Sequence, residues 1–392
     1  MIYYMFSTLL IIILMKLIKP IPFLSLVVLL LISCTQGDFE TESGFQFPDN
    51  AELQLTAIIQ SAGNEIFAQP NMVLPVSDEQ FIIADTQLLQ IHLMGVNENY
   101  YHTFGRAGQG PGEFQRFSEI TVEGNRIRIY DGRAYKVTEL AVHENRIEYI
   151  DEKDFTFIPL SDYPGAMFWR FIEGQNGEHL AIYRDFNILS EESPRFTRII
   201  AMKYDDNFSP VAEEPVAVHN FIAELDFGNG VLSLPYYQRG FFTQSNGRLV
   251  YAKNDYPEIR IYDTSGEQVN AIKLPDTRVT LTRDDKVAAF EHMYRNAPEP
   301  DRFRNEVVPK IPDQRPIIRT MTSDSQGRIW VRIFTNDISE ADWLVFDKNG
   351  SPLFRLSLPE GHTFRNAINN KLITGFIGDD GPEIALHRWA AD

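Results

Sequence analysis

The chain has 392 residues, 44% of them hydrophobic and 12% aromatic, enough apolar material for a sizeable packed core. Its formal charge of −18, with no Lys/Arg-rich run anywhere, excludes a general nucleic-acid binder, which needs a basic surface to displace counterions. A single cysteine, Cys34, excludes an intrachain disulfide and any cysteine-based zinc site.

Residues 1–33 are almost wholly apolar and carry no acid. Read from Met15, MKLIKPIPFLSLVVLLLIS has a short basic region and then an apolar run, the anatomy of a secretory signal, which makes Met15 a candidate start. Leu31–Cys34 (LISC) resembles the bacterial lipobox, in which the cysteine is lipidated and becomes the new N-terminus. A membrane anchor through a lipid on Cys34 is therefore expected, with 34–50 as an acidic, polar tether. An uncleaved apolar span is the competing reading. Both put the remaining chain outside the cytoplasm, and a lipoprotein of the outer membrane, facing the periplasm or the exterior, is the expected address.

From about residue 50 the sequence predicts short strands. A turn, an apolar strand, an Asp and a second strand recur at Ser77–Asp85, Glu123–Asp131, Asn176–Asp185, Asn246–Asp255, Gln326–Asp337 and Asn369–Asp379. Asn-Gly and Gln-Gly pairs supply the positive φ of tight hairpins. Alternation along each strand places one apolar face inward, and the Asp closes the strand by bonding backbone in the next turn. One such unit cannot bury its apolar face alone, so the copies must pack on one another. Six units of four strands, roughly 40 residues apart where uninterrupted, predict an all-β, six-bladed β-propeller over 51–392. The strand around Leu53–Gln60 is expected to complete the last sheet and close the ring, removing exposed edges.

Two insertions stretch the period. Residues 186–197 make a polar excursion in the third copy. Residues 280–312 predict a short helical insertion, with Thr282 as N-cap, acids in the first turn, and Val287, Phe290 and Tyr294 on one stripe. That stripe either packs on the propeller or forms a lid or partner contact over a channel mouth.

Between the first two copies lies FGRAGQGPGEF, Phe104–Phe114. It lacks the Lys-Ser/Thr of a P-loop and the third glycine of a dinucleotide fingerprint, so it reads as a corner rather than a phosphate cradle. Gly105, Gly108, Gly110 and Gly112 are then structural. This stretch resembles the blade-junction signature of bacterial six-bladed β-propeller lipoproteins of the Bacteroidetes type, related to NHL-repeat proteins. The resemblance extends over roughly residues 50–390 and implies the same propeller fold.

No nucleophile elbow is present, and the eight histidines show no metal-ligand spacing. Propeller sites gather residues from several blades, so Arg106, Glu113, His102 and His219 stand as candidates to face the channel. The recurrent Asp85, Asp131, Asp185, Asp255, Asp337 and Asp379 are expected in turns, although a ring of carboxylates could hold Ca2+. Tyr236, Tyr237, Phe241 and Phe242 are blade core or a stacking platform for a sugar or peptide. The leading expectation is a binding or scaffolding module for a protein or glycan partner, without a cofactor. The alternative, implied by related propellers, is a hydrolase or lyase dependent on Ca2+ or Zn2+ in the central channel.

Overall fold

The computed structural model describes Phe47 and residues 51–390 apart from 98, 156–159, 161, 175–177, 187–194, 227–230, 295–299, 336–340 and 380. Cys34, its signal and tether, most of the 186–197 excursion and Asp337 lie outside the described residues. Among the described residues, no helix is long and apolar enough to cross a membrane.

The fold is a six-bladed β-propeller. Blade 1 runs over Pro70–Phe104, blade 2 over Phe117–Asp154, blade 4 over Gly240–Lys273 and blade 5 over Ile318–Leu356, each a four-stranded antiparallel sheet in chain order. Blade 3, Ala166–Ser233, carries a fifth short strand. Blade 6 takes three strands from Thr363–Ala390 and its fourth from Glu52–Ile59, which pairs antiparallel with Gly381–Ala390. The ring closes as the sequence predicts, with N-terminal chain locking the C-terminal blade.

The strand faces depart from expectation. Alternation predicts one buried face per strand, but the second strand of each blade is covered on both sides. In Gln80–Asp85, Ile82 and Ala84 pack against blade 2, while Phe81 and Ile83 pack against blade 6. The physical reason is the ring itself, since each sheet lies between two neighbours. Such strands need near-continuous apolar runs, as in FIIA, LVYA and IWV. One core fills each of the six gaps between adjacent blades. Among the described residues the largest fully buried side chain is Trp330, between blades 5 and 6, whose indole donates to Asp324 at 2.7 Å.

The repeated Asp works differently from a simple turn residue. Asp85 accepts from the backbone N–H groups of Ala68, Gln69, Gln87 and Leu88 at 2.7–3.0 Å, tying the chain leading into the blade to the next hairpin. Asp131 does the same with Gln115, Arg116, Arg133 and Ala134. Asp185 is fully buried and receives Arg198 at 2.7 Å. Asp255 and Asp379 break the pattern. In blade 4 the strand ends at Lys253, so Asn254 takes the position, accepting from Arg239 N–H and donating to the Tyr237 carbonyl. In blade 6 Gly378 pairs with Gly381, and Asp379 beyond it is exposed rather than buried.

The insertion begins and ends on a two-stranded neck, Val279–Thr280 with Gln314–Arg315. It contains two helices where the sequence predicts one: α1, Arg283–Tyr294, and α2, Pro300–Val307. Thr282 caps α1 reciprocally, its hydroxyl accepting from Asp285 N–H while the Asp285 carboxylate takes Thr282 N–H. Phe290 is buried among Leu234, Leu281, Val307 and Val308, with Val287 and Tyr294 against the same cluster. The predicted stripe thus packs onto the lead-in to blade 4.

A candidate ligand channel on the propeller axis

The Phe104–Phe114 loop closes around its own carboxylate. Glu113 accepts from Gln109 and Gly110 N–H at 3.0 and 2.9 Å and from the Arg106 guanidinium at 2.8 Å. These bonds, the Gly110 amide first, hold its carboxyl below the ordinary glutamate value. A Cβ on Gly108 would sit 2.0 Å from the Glu113 carboxylate, and Gly105 (φ 94°) lies against the Phe114 ring and the Leu89 carbonyl. The backbone amides that could receive a phosphate already hold Glu113. This loop turns a corner.

A cavity of about 770 Å3 runs along the axis, lined by the first strand of every blade. Five of those strands are bulged, and the extra residues are Asn71, Ser118, Trp169, Arg319 and Arg365. A bulge re-aims the side chain it carries. All but Arg319 line the axial cavity.

Among the described residues the charged lining is Glu119 and Arg170 on blades 2 and 3, and Arg332, Arg365 and Asp324 on blades 5 and 6, with the Asp324 carboxylate held by Arg328 and the Trp330 indole. On blades 2 and 3, Glu119 pairs with Arg170 at 3.1 Å, and Arg170 lies 4.9 Å over the Phe242 ring. Burial raises the Glu119 carboxyl, partly offset by Arg170. Behind them Glu173 accepts from Thr121 at 2.6 Å, from Arg128 at 3.0 Å and from the Tyr130 hydroxyl. On blades 5 and 6 stand Arg332 and Arg365, neither of which makes a hydrogen bond or ion pair among the described residues. Their Nε–H groups, and the Nε1–H of the buried Trp343 beside Arg332, are buried donors without partners. Burial lowers both guanidinium pKa values from the ordinary arginine value, with Arg319 adding to the effect at Arg332. Arg332 and Arg365 are half-buried, so their terminal guanidinium N–H groups remain within reach, and a ligand offering acceptor oxygens would find charged donors there.

The residues expected at the channel are placed elsewhere. Arg106 and Glu113 pair in the junction loop. His102 lies on the outermost strand of blade 1, where its Nδ1 accepts from Ile147 N–H at 3.3 Å. His219 lies on the fourth strand of blade 3, stacked on Tyr251 of blade 4 at 4.1 Å. The Asp85 and Asp131 oxygens are occupied by amides rather than gathered on the axis. Among the described residues, no three His, Cys, Asp or Glu side chains converge as metal ligands. Arg170, Arg332, Arg365 and Trp343 went unremarked in the sequence. Their one local signal is an arginine breaking an apolar strand, as in FWRF and VRIF.

His219 carries a pH prediction. Burial, with Arg260 and Lys253 adding to it, lowers its pKa from 6.5 to about 4. Below pH 6.5 the unfolded chain takes up a proton that the folded chain refuses until about pH 4. Stability is therefore full above that window and falls through it, by roughly 2 kcal/mol at pH 5 for this residue. His219→Phe keeps the ring against Tyr251 and removes the titration. The fall in urea midpoint between pH 7 and pH 5 should shrink in that variant, and an unchanged fall would contradict the assignment.

The sequence matches no known protein-family profile and no curated protein. Similar solved structures include a Bacteroides fragilis protein named as exported, at 13% identity and TM-score 0.50, covering 88% of this chain and 99% of that one. Another is a member of the DUF4221 family from Bacteroides vulgatus, at 8% identity and TM-score 0.49, with the same coverage. The likeness is one of fold.

Proposed function

We propose that this chain is a membrane-anchored, extracytoplasmic binding module, held at the outer membrane by a lipid on Cys34, whose axial channel receives an acidic group of a glycan or protein partner. The observation that carries the reading is the wall of unpaired donors on blades 5 and 6, Arg332, Trp343 and Arg365, in a protein of net charge −18. An anion there meets two guanidinium groups without carboxylate partners, while the Glu119–Arg170 pair opposite offers a donor and an acceptor to neutral polar groups. The export expected from LISC agrees with the name of the Bacteroides fragilis protein sharing the fold.

The test is thermal melting of residues 35–392 against acidic oligosaccharides and acidic peptides, with neutral counterparts beside them. A ligand at about 100 times its Kd stabilises by roughly 2.7 kcal/mol. We expect an acidic ligand to raise Tm, and the Arg332→Gln/Arg365→Gln double variant to weaken it at least tenfold. EDTA should leave the shift intact. Equal response to neutral ligands, unchanged affinity in the double variant, or an upward shift produced by Ca2+ or Zn2+ alone would overturn the reading. Labelling with a palmitate analogue in cells, present for the full chain and absent for Cys34→Ala, checks the anchor.

A further inference from the structure

A second cavity, of about 760 Å3, lies under α1, where the chain leads into blades 4 and 5. Its volume falls within the range of small-molecule sites. α1 has two faces. Val287, Phe290 and Tyr294 pack into the satellite core, while Ala288, Ala289, His292 and Met293 border the cavity. Two alanines on that face leave room under the helix that larger residues would fill. The floor is apolar, formed by Tyr236, Phe241, Ile318 and Phe334. Tyr294 ties the roof to the cavity edge by donating to the Ser233 carbonyl at 2.5 Å.

The polar lining is one-signed. Among the described residues, Arg239 and Arg319 border the cavity, no acidic residue does, and neither arginine side chain makes a hydrogen bond or ion pair. Arg319 is the extra residue of the blade 5 bulge and lies 5.7 Å from the centre of the Phe334 ring. The bulge thus places a cation where an aromatic floor ends. We propose that this cavity is a second binding site, separate from the axial channel, for an amphipathic carboxylate with an extended apolar body, such as a medium-chain fatty acid. The apolar body occupies the space between α1 and Phe334, and the carboxylate is met by Arg319 and Arg239. An apolar cavity closed by two unpaired cations discriminates by head-group charge, because a cationic head there would be both repelled and unpaired.

Calorimetric titration of residues 35–392 with laurate, and with dodecyltrimethylammonium as the matched cation, tests this. Laurate should bind one to one. The cation should bind at least tenfold more weakly, and Arg319→Gln and Arg239→Gln should each weaken laurate severalfold. Ala289→Trp, which fills the cavity, should abolish binding while far-ultraviolet circular dichroism and the elution volume on size exclusion stay native. Arg332→Gln/Arg365→Gln should leave laurate binding unchanged, which separates this site from the channel. No laurate binding, equal binding of both head groups, or full binding by a natively folded Ala289→Trp variant would each overturn the proposal. If Ala289→Trp does not fold, the two arginine variants decide, with unchanged laurate affinity in both overturning the site.

Discussion

Asp85→Ala is expected to lower stability by more than about 4 kcal/mol, a large part of what holds a domain folded. The carboxylate is fully buried and accepts four backbone N–H groups, two from the chain leading into blade 1 and two from the following hairpin. Alanine removes four hydrogen bonds to a charged acceptor, each contributing about 1.5–3 kcal/mol before any relaxation or water entry. Asp85→Asn should fall between the two. Its amide oxygen serves two donors, but its NH2 then faces the other two. Asn254 escapes that conflict in blade 4 because its NH2 reaches the Tyr237 carbonyl. Equilibrium urea unfolding measures the effect, with Asp255→Ala as control, since Asp255 is exposed and, among the described residues, accepts only from the Gln238 side chain. Equal midpoints for Asp85→Ala and Asp255→Ala would refute the role assigned to the buried carboxylate.

Removing the closing strand should have the larger effect. A chain beginning at Ser61 loses the ladder from Glu52 opposite Ala390 to Ile59 opposite Ile384. It also loses the Thr56 hydroxyl bond to the Leu386 carbonyl, and the bond from Ala51 N–H to the Arg355 carbonyl that reaches back to blade 5. Ala51 and Leu53 belong to the core between blades 5 and 6, and Ile59 to the core between blades 6 and 1. Burying side chains of this kind stabilises by about 1.5–3 kcal/mol for each large one, so two interblade cores weaken at once. The strand Gly381–Ala390 becomes an open edge, a template for pairing with other chains. The truncated chain should elute as aggregate on size exclusion, and a peptide covering residues 51–60 added during refolding should recover monomer. A truncated chain that stays monomeric and melts with the parent would show that closure rests on the other blades alone.

What was legible in the sequence is what acts over a few residues. Hairpin turns are local, so Asn246 and Gly247 do adopt the positive φ that their pairing predicts. The helix cap at Thr282 and the corner at Gly105–Gly112 are local in the same sense. The Asp positions of the first three copies were visible because a buried acceptor recurs wherever the same turn recurs. The closing strand was visible because an unpaired apolar strand at one terminus and an open blade at the other have one economical solution. The second helix of the insertion and the displaced Asp of blades 4 and 6 were missed, because strand lengths there depart by a residue or two from the repeat.

The sequence by itself determined the blades, their number and the order in which they pack, since each follows from strand period, turn chemistry and the need of each sheet for two neighbours. The tertiary structure alone decided the channel and the cavity under α1. Arg170, Arg332, Trp343 and Arg365 come from three blades and carry no spacing, because the ring brings to one axis positions far apart along the chain. On an isolated strand each of these arginines would read as a solvent-facing residue. Closure of the ring brings them half-buried to the axis, with Arg170 paired to Glu119 and Arg332 and Arg365 without a partner among the described residues, and that turns an ordinary surface residue into a candidate ligand contact.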